Sequence, residues 1–577
     1  MKTYFIFILL SISLICQSCT DDEIKCDNKR IVFTSFALKS PESDNVYMLD
    51  VDLENNEICI NEIFPDDVDL SKLIAIYNLN INSSNIVVKV NGINQISGKT
   101  INNYTESLNY EIYEKGNLVS TFECKVYLRD ILPDITINLD EKKQIFFGAG
   151  GSIGLYAGHW TSLSHSEKEK AATLLAKDIN LQYLKTYIND VAQLNSYKYE
   201  SFVDCYNYLK KYNPNIKTQI NVYDLPDKLE KKDGNKVDEN GNPITLKSIY
   251  DETIPDIFGK IAEYYFTVIS DFKKRGIIVD QLDLLNEPGG VDLAVFQGKK
   301  FSEVVPILRS MINNPSINTM GLKMPEIVGV SHWGVTGTIS WFSKWKEELP
   351  DAYEQLDVIS THGYSGGWIE SNYKQVREFI GDNIIFQNNE QTGKLQPGDG
   401  LYEIFKKNDS EPIYVGDVSI AMRISDAVNG GVNYFFIFQI NNPTGNNAAL
   451  LKTPYRGIVS KSTVYSGFKQ LTSYQPADSY CLSRDINNDQ PHRVLCFNNG
   501  DKFVYLHITN VLDKSEDFTV EIHDKGIKRY IKSIEGIFSD KEKDEEIIEK
   551  VSFEEKKERI IIKTTPFSVN SFKLELE

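Results

Sequence analysis

The spacing of apolar and polar residues changes twice along this 577-residue chain. Between residues 31 and 134 the apolar runs are short and alternating, as in IVFTSFAL, NIVVKVNG, LNYEIYEKGN and FECKVYL, with Asn, Gly and Ser between them. Period-two alternation broken by turn residues predicts a small β-sandwich. From 135 to 465 the texture is different. Apolar runs of strand length, QIFFGAGGS, LQYLKTYI, KTQINVYDL, VDQLDLLNEP, PEIVGVSHWG, LDVISTHGYS, NIIFQNNEQ and YFFIFQINNP, alternate with segments such as HSEKEKAATLLAKDI, YESFVDCYNYLKKY and IPDIFGKIAEYYFTVISDFKKRG. The latter repeat apolar residues every three or four positions, the helical period. Eight strands with helices between most of them predict a (β/α)8 barrel of the TIM type. The polar stretch KLEKKDGNKVDENGNPITLKS reads as a loop after the third strand. From 466 to 577 alternation returns, with a hairpin around Asn-Asn-Gly in HRVLCFNNGDKFVYLHITN, and predicts a C-terminal β-sandwich.

The first thirty residues obey neither pattern. MKTYFIFILLSISLICQSC is one Lys, an apolar run and a small-residue end, a secretory signal too short to span a bilayer. It resembles a bacterial lipoprotein signal covering residues 1–19, with Cys19 lipidated as the mature N-terminus. The TDDE that follows resembles the export tag of surface lipoproteins in Bacteroides-like bacteria. Residues 20–30 read as a tether. The resemblance implies a chain held at the outer membrane by its lipid, exposed at the cell surface, with no other membrane contact. A net charge of −19 argues against nucleic acid or an anionic membrane surface as partner. Six of eight cysteines remain beyond Cys16 and Cys19, and no CxxC pair occurs among those six, which speaks against zinc. Cys481 and Cys496 flank a hairpin; a disulfide and two buried thiols are both compatible with their spacing.

Candidate chemistry sits at strand ends, because active sites of such barrels lie at the C-terminal mouth. In QLDLLNEPGG an apolar run stops at Asn286, Glu287 and Pro288, and two glycines turn the backbone. The sixth strand ends in His362-Gly363-Tyr364, with Trp368 beyond, and the fifth near His332-Trp333. The seventh ends at Asn388, Asn389 and Glu390. Carboxylates ending the fourth and seventh strands stand across one mouth, and paired carboxylates are what glycoside hydrolysis requires: one protonates the leaving oxygen, the other attacks the sugar or activates water. All five tryptophans fall within the barrel segment. Trp160, Trp333 and Trp368 are candidate sugar platforms, and Trp341 and Trp345, at helical spacing, are packing residues. His159, beside Trp160, either contacts substrate or caps a loop.

NEP at the fourth strand, HGY at the sixth and a glutamate at the seventh resemble the clan A glycoside hydrolases. The entry ITINLDEKKQIFFGAGGS and the late β segment make the chain most similar to glycoside hydrolase family 30 over residues 135–577. The resemblance implies a retaining hydrolase of β-linked polysaccharide or oligosaccharide, working by double displacement without metal or cofactor. Glu287 would be the acid/base and Glu390 the nucleophile; Asn286 would bond a sugar hydroxyl, Tyr364 would orient Glu390, and His362 would line the floor. That clan usually has an arginine at the end of the second strand, and here LQYLKTYIND offers only Lys185. The rival expectation is a glycan-binding surface lipoprotein without catalysis on a decayed barrel.

Overall fold

The computed structural model describes residues 30–41, 45–59, 68–126, 133–154, 157–188, 197–237, 240–364, 367–393, 406–407, 411–412, 416–445, 447–487, 491–500, 502–540, 546–547, 551–554 and 559–577. The signal sequence, Cys19 and the tether up to Lys29 lie outside them. No helix among the described residues is long and apolar enough to cross a membrane. The chain divides into two compact units, Met1–Leu132 and Pro133–Glu577.

Among its described residues the first unit is β apart from one 3-10 turn, Leu70–Lys72. Nine strands hydrogen-bond in one path that runs from Ile93–Asn94 at one edge, through Phe33–Lys39, to Ile101–Asn102 at the other. Strands from different parts of this path meet on one aromatic core. The Phe33 ring meets Phe36, Tyr77, Tyr110 and Phe122 edge-on at centroid distances of 5.3–6.0 Å. Such edge-to-face pairs are favoured by the ring quadrupoles.

The second unit is built around a closed parallel barrel. Its strands are β1 (Gly148–Ser152), β2 (Tyr183–Ile188), β3 (Lys217–Val222), β4 (Gln281–Asp283), β5 (Glu326–His332), β6 (Val358–Thr361), β7 (Ile385–Gln391) and β8 (Tyr434–Ile437), with β8 pairing back to β1. Each lies within one of the eight predicted runs. Two of the three glycines of β1 have a steric reason: a Cβ on Gly150 would stand 2.6 Å from the Phe436 ring, and one on Gly151 2.7 Å from Ile440.

The barrel interior is polar where branched aliphatic side chains are usual. Tyr183, Tyr434 and Phe436 form a separate apolar cluster. In another layer, Gln219 donates to Gln281 (3.0 Å) and Gln387 (3.1 Å), and Gln281 to Glu326 (2.9 Å). A third layer gathers on Asp283, whose Oδ2 accepts from Asn221 (2.7 Å), Ser331 (2.5 Å) and Asn389 (2.9 Å). Buried amides are tolerable here because they donate to one another and to carboxylates.

Two segments differ from the sequence expectation. Ile135–Phe146 precedes the barrel but belongs to the C-terminal sheet, pairing antiparallel with Ser479–Ile486 and parallel with Glu516–Asp524. Its alternation continues without a break into the barrel entry, so the sequence shows no boundary. The stretch after β3, read as a loop, is a hairpin: Glu230–Val237 pairs with Pro243–Tyr250 around a turn with Gly241 at φ 82°.

The C-terminal sheet is buried on both faces. Cys481, Leu495, Phe497 and Tyr505 join the barrel core, while the alternate residues Leu482, Val494, Cys496 and Leu506 build a second core. This decides the cysteine question. Cys481 stands opposite Phe497, so Cys496 points to the other face, and both are buried free thiols.

Candidate active site

β4 ends at Asp283, and the chain turns at Asn286-Glu287. Glu287 has φ 48°, a left-handed conformation that is strained for a residue with a Cβ. Its N–H donates to Ser331 O (3.0 Å), which holds the turn to the end of β5. Gly289 follows at φ 90°, and its carbonyl accepts from Trp341 Nε1 (3.2 Å). Trp345 Nε1 donates to Ala294 O (2.7 Å) further along. Both indoles are buried, the packing role expected for them.

Glu390, on β7, faces Glu287 across His362. The His362 ring is fully buried and places Nδ1 2.8 Å from Glu287 Oε1 and Nε2 3.8 Å from Glu390 Oε2. One oxygen of each carboxylate and one ring nitrogen lie within 4.8 Å of one another.

The two carboxylates have unequal surroundings. The Glu287 side chain is 27% exposed, and His362 is its one hydrogen-bond partner among the described residues. The Glu390 side chain is 7% exposed and crowded by donors. Tyr187 OH donates to its Oε2, Tyr364 OH to its Oε1 (3.3 Å), and Lys185 Nζ lies 3.6 Å from Oε2. Burial pushes the Glu390 carboxyl up, but His362, Lys185, Tyr187 and Tyr364 outweigh burial and hold it below the usual glutamate value. Burial, followed by the neighbouring Glu390 charge, pushes the Tyr187 and Tyr364 phenols well up, so both remain protonated donors.

Lys185 explains the missing arginine. It is fully buried on β2, two residues before Tyr187, and therefore shares the inward face of that strand. Its Nζ donates to Asn389 O (3.1 Å), so it grips the backbone beside Glu390 as well as the carboxylate. Beneath it, burial raises the Asp283 carboxyl, and Lys185, Ser331, Asn221 and His362 oppose that rise. The trio Glu287, His362 and Glu390 has the residue types of a metal site. The Lys185 ammonium, 3.6 Å from Glu390, already supplies one positive charge beside that trio.

The remaining candidates separate clearly. Asn286 is at the site, and its Oδ1 is buried with no hydrogen-bond partner among the described residues. Trp333 stays a platform candidate: it is 42% exposed and its ring lies 4.7 Å from that of Tyr364. Trp160 and Trp368 do not. Trp160 is fully buried in the helix Ala157–Ser162, with Nε1 donating to Asp204 (2.9 Å). Trp368 is nearly buried and its ring face is covered by the Arg423 guanidinium at 4.4 Å. His332 Nδ1 lies 3.0 Å from Gly334 O, so its ring is tied to the turn after β5. His159 holds a loop, at Thr453 O (3.1 Å).

Sequence reasoning missed Tyr187, Tyr223 and Arg423. Tyr223 follows β3, is 44% exposed and turns its ring edge to Tyr187 at 6.5 Å. Arg423 Nη1 donates to Gln391 Oε1 (2.9 Å), next to Glu390. The signal for Tyr187 was present: Tyr183, Lys185 and Tyr187 alternate on one face of a strand whose other face is Leu184, Thr186 and Ile188.

A closed (β/α)8 barrel with paired glutamates at its mouth is the class that fold and site define. No protein-family model matches the sequence, and no curated protein matches it. Solved structures do. The catalytic domain of a family 30 xylanase C from Talaromyces cellulolyticus aligns with a TM-score of 0.58 and 16% identity, over 76% of this chain and 99% of that one. A family 30 endoxylanase from Clostridium papyrosolvens C71 gives 0.54 and 12%, over 77% and 100%. An endo-β-1,6-glucanase gives 0.53 and 13%, over 79% and 96%. At these identities the likeness establishes the fold.

Proposed function

We propose that the protein is a retaining glycoside hydrolase of a β-linked glycan, with Glu287 as acid/base and Glu390 as nucleophile. The observation that carries this reading is the pair of carboxylates within 4.8 Å in unequal environments. Retaining enzymes hold the two carboxyls ~5–5.5 Å apart, whereas inverting enzymes leave ~6.5–9.5 Å for a water. Environments that separate two carboxylates mark out their roles. Glu390, ringed by donors and a buried cation, stays ionised and attacks the anomeric carbon. Glu287, partly exposed and positioned by His362, gives its proton to the departing glycosidic oxygen.

The step balances as follows. The bond from Glu390 to the anomeric carbon forms while the bond to the leaving oxygen breaks, and that oxygen takes the Glu287 proton. Glu287, now ionised, removes a proton from water, the water oxygen displaces Glu390, and the released sugar keeps the β configuration. Asn286 Oδ1, buried without a donor, fits a sugar hydroxyl beside the reacting carbon. The aligned structures are a xylanase, an endoxylanase and an endo-β-1,6-glucanase, so xylan and β-1,6-glucan head the substrate panel. Release of reducing sugar from that panel by the chain lacking residues 1–20, abolished in Glu287→Gln, tests the reading; equal release by the variant sinks it.

The localisation belongs to the same proposal. Cys19 carries a lipid and holds the enzyme at the outer membrane, its N-terminal unit serving as spacer. Palmitate labelling of the full chain that survives Cys19→Ala would contradict this.

A further inference from the structure

A pinned aromatic stands on the rim where β8 and β1 adjoin. Phe438, leaving β8, donates its N–H to Gln391 O (2.7 Å), the residue after Glu390. The chain continues through Gln439–Asn442, which pairs with Ala449–Lys452, and Thr453 N–H donates to Asn442 O (2.7 Å). Two residues on, Tyr455 is 64% exposed, and Ile458 is 72% exposed. Large side chains this exposed usually mark a loose loop. This loop is fixed at every turn. His159, in the helix after β1, donates Nδ1–H to Thr453 O, and Arg456 N–H donates to Ser162 Oγ (3.0 Å). Val459 N–H donates to Glu167 (2.7 Å), and Lys170 Nζ to Val459 O (2.6 Å).

The ring itself is braced. His159 meets Tyr455 nearly perpendicular at 6.3 Å, and the Arg456 guanidinium lies 5.3 Å from its centroid. Arg456 holds a left-handed φ of 52°, a strain kept only where the surroundings impose it. Fixing an exposed ring in advance removes the ordering cost of binding against it. A flat aromatic face with a polar edge suits the apolar face and equatorial hydroxyls of a sugar ring.

We propose that Tyr455, braced by His159 and Arg456, is a stacking subsite for a sugar of the glycan chain outside the bond cut at Glu287 and Glu390. This rests on the hydrolase reading, and it makes the substrate a chain that extends over the β8–β1 rim.

The test uses Tyr455→Ala and Tyr455→Phe in the chain lacking residues 1–20. On xylan and β-1,6-glucan, Tyr455→Ala should raise KM by about tenfold, with Tyr455→Phe near the parent. On a 4-nitrophenyl monoglycoside, which cannot reach the rim, kcat/KM should not change. Affinity gels holding the same polysaccharides, run on Glu390→Gln with and without Tyr455→Ala, read the site without turnover. Retardation lost with the ring supports the subsite even if no glycan is hydrolysed, in which case only the hydrolase reading falls. Unchanged KM and mobility, equal losses on short and long substrates, or no retardation of the parent by either polysaccharide overturns the subsite.

Discussion

Lys185→Met removes the buried cation beside the proposed nucleophile. At 3.6 Å and an effective dielectric of about 20, a unit charge pair interacts by about 4–5 kcal/mol. Part of that returns through water entry and through the donors left on Glu390, Tyr187 and Tyr364. Even half of it is about fiftyfold in any step that needs Glu390 ionised. The sign follows from the group. Glu390 is held below the usual glutamate value, so it is ionised at mildly acid pH; without Lys185 its protonated form gains and the acid limb of kcat/KM moves to higher pH. The assay is kcat/KM against pH from 4 to 8 on the active glycan. Thermal melts identify any variant that fails to fold. Lys185→Gln, which keeps a donor toward Asn389 O without the charge, provides a second route. An acid limb in the same place for a folded Lys185→Met or Lys185→Gln protein would refute the reasoning.

Other outcomes follow from the same contacts. Glu287→Gln should lose polysaccharide cleavage but retain attack on a dinitrophenyl β-glycoside, whose leaving group needs no proton, and added azide should return a β-glycosyl azide seen by NMR. Trp160→Ala should cost about 3–5 kcal/mol in denaturant unfolding, because it empties a buried site and removes the indole hydrogen bond to Asp204, whereas Trp333→Ala should weaken glycan binding with little change in stability. Burial raises the Asp426 carboxyl to about 6, above its usual 3.8. Its contribution to stability is therefore complete below about pH 4 and lost as pH rises through 6, so Asp426→Asn should flatten the fall in melting temperature between pH 4 and 7.

The barrel was legible because buried parallel strands are unbroken apolar runs punctuated by Gly and Pro. Glu287, His362, Tyr364 and Glu390 were legible because carboxylates and rings at strand ends are rare unless used. The structure places all four together. What the sequence hid was orientation. Trp160 and Trp368 share the residue type of Trp333, yet one lies in a helix core and the other beneath a guanidinium. Cys481 and Cys496 look bridgeable along a hairpin, yet a shift of one position puts them on opposite faces of the sheet. Tyr187 was visible only as part of an oddly polar strand until the closed barrel brought its hydroxyl to Glu390.

The most direct test of the two glutamate roles is the mass of Glu287→Gln protein after incubation with 2,4-dinitrophenyl β-xyloside or β-glucoside. Its first step proceeds without an acid, and its second stalls without a base. The account predicts a covalent glycosyl adduct on the peptide that carries Glu390. An adduct on any other residue, or turnover by inversion with no adduct, would contradict it.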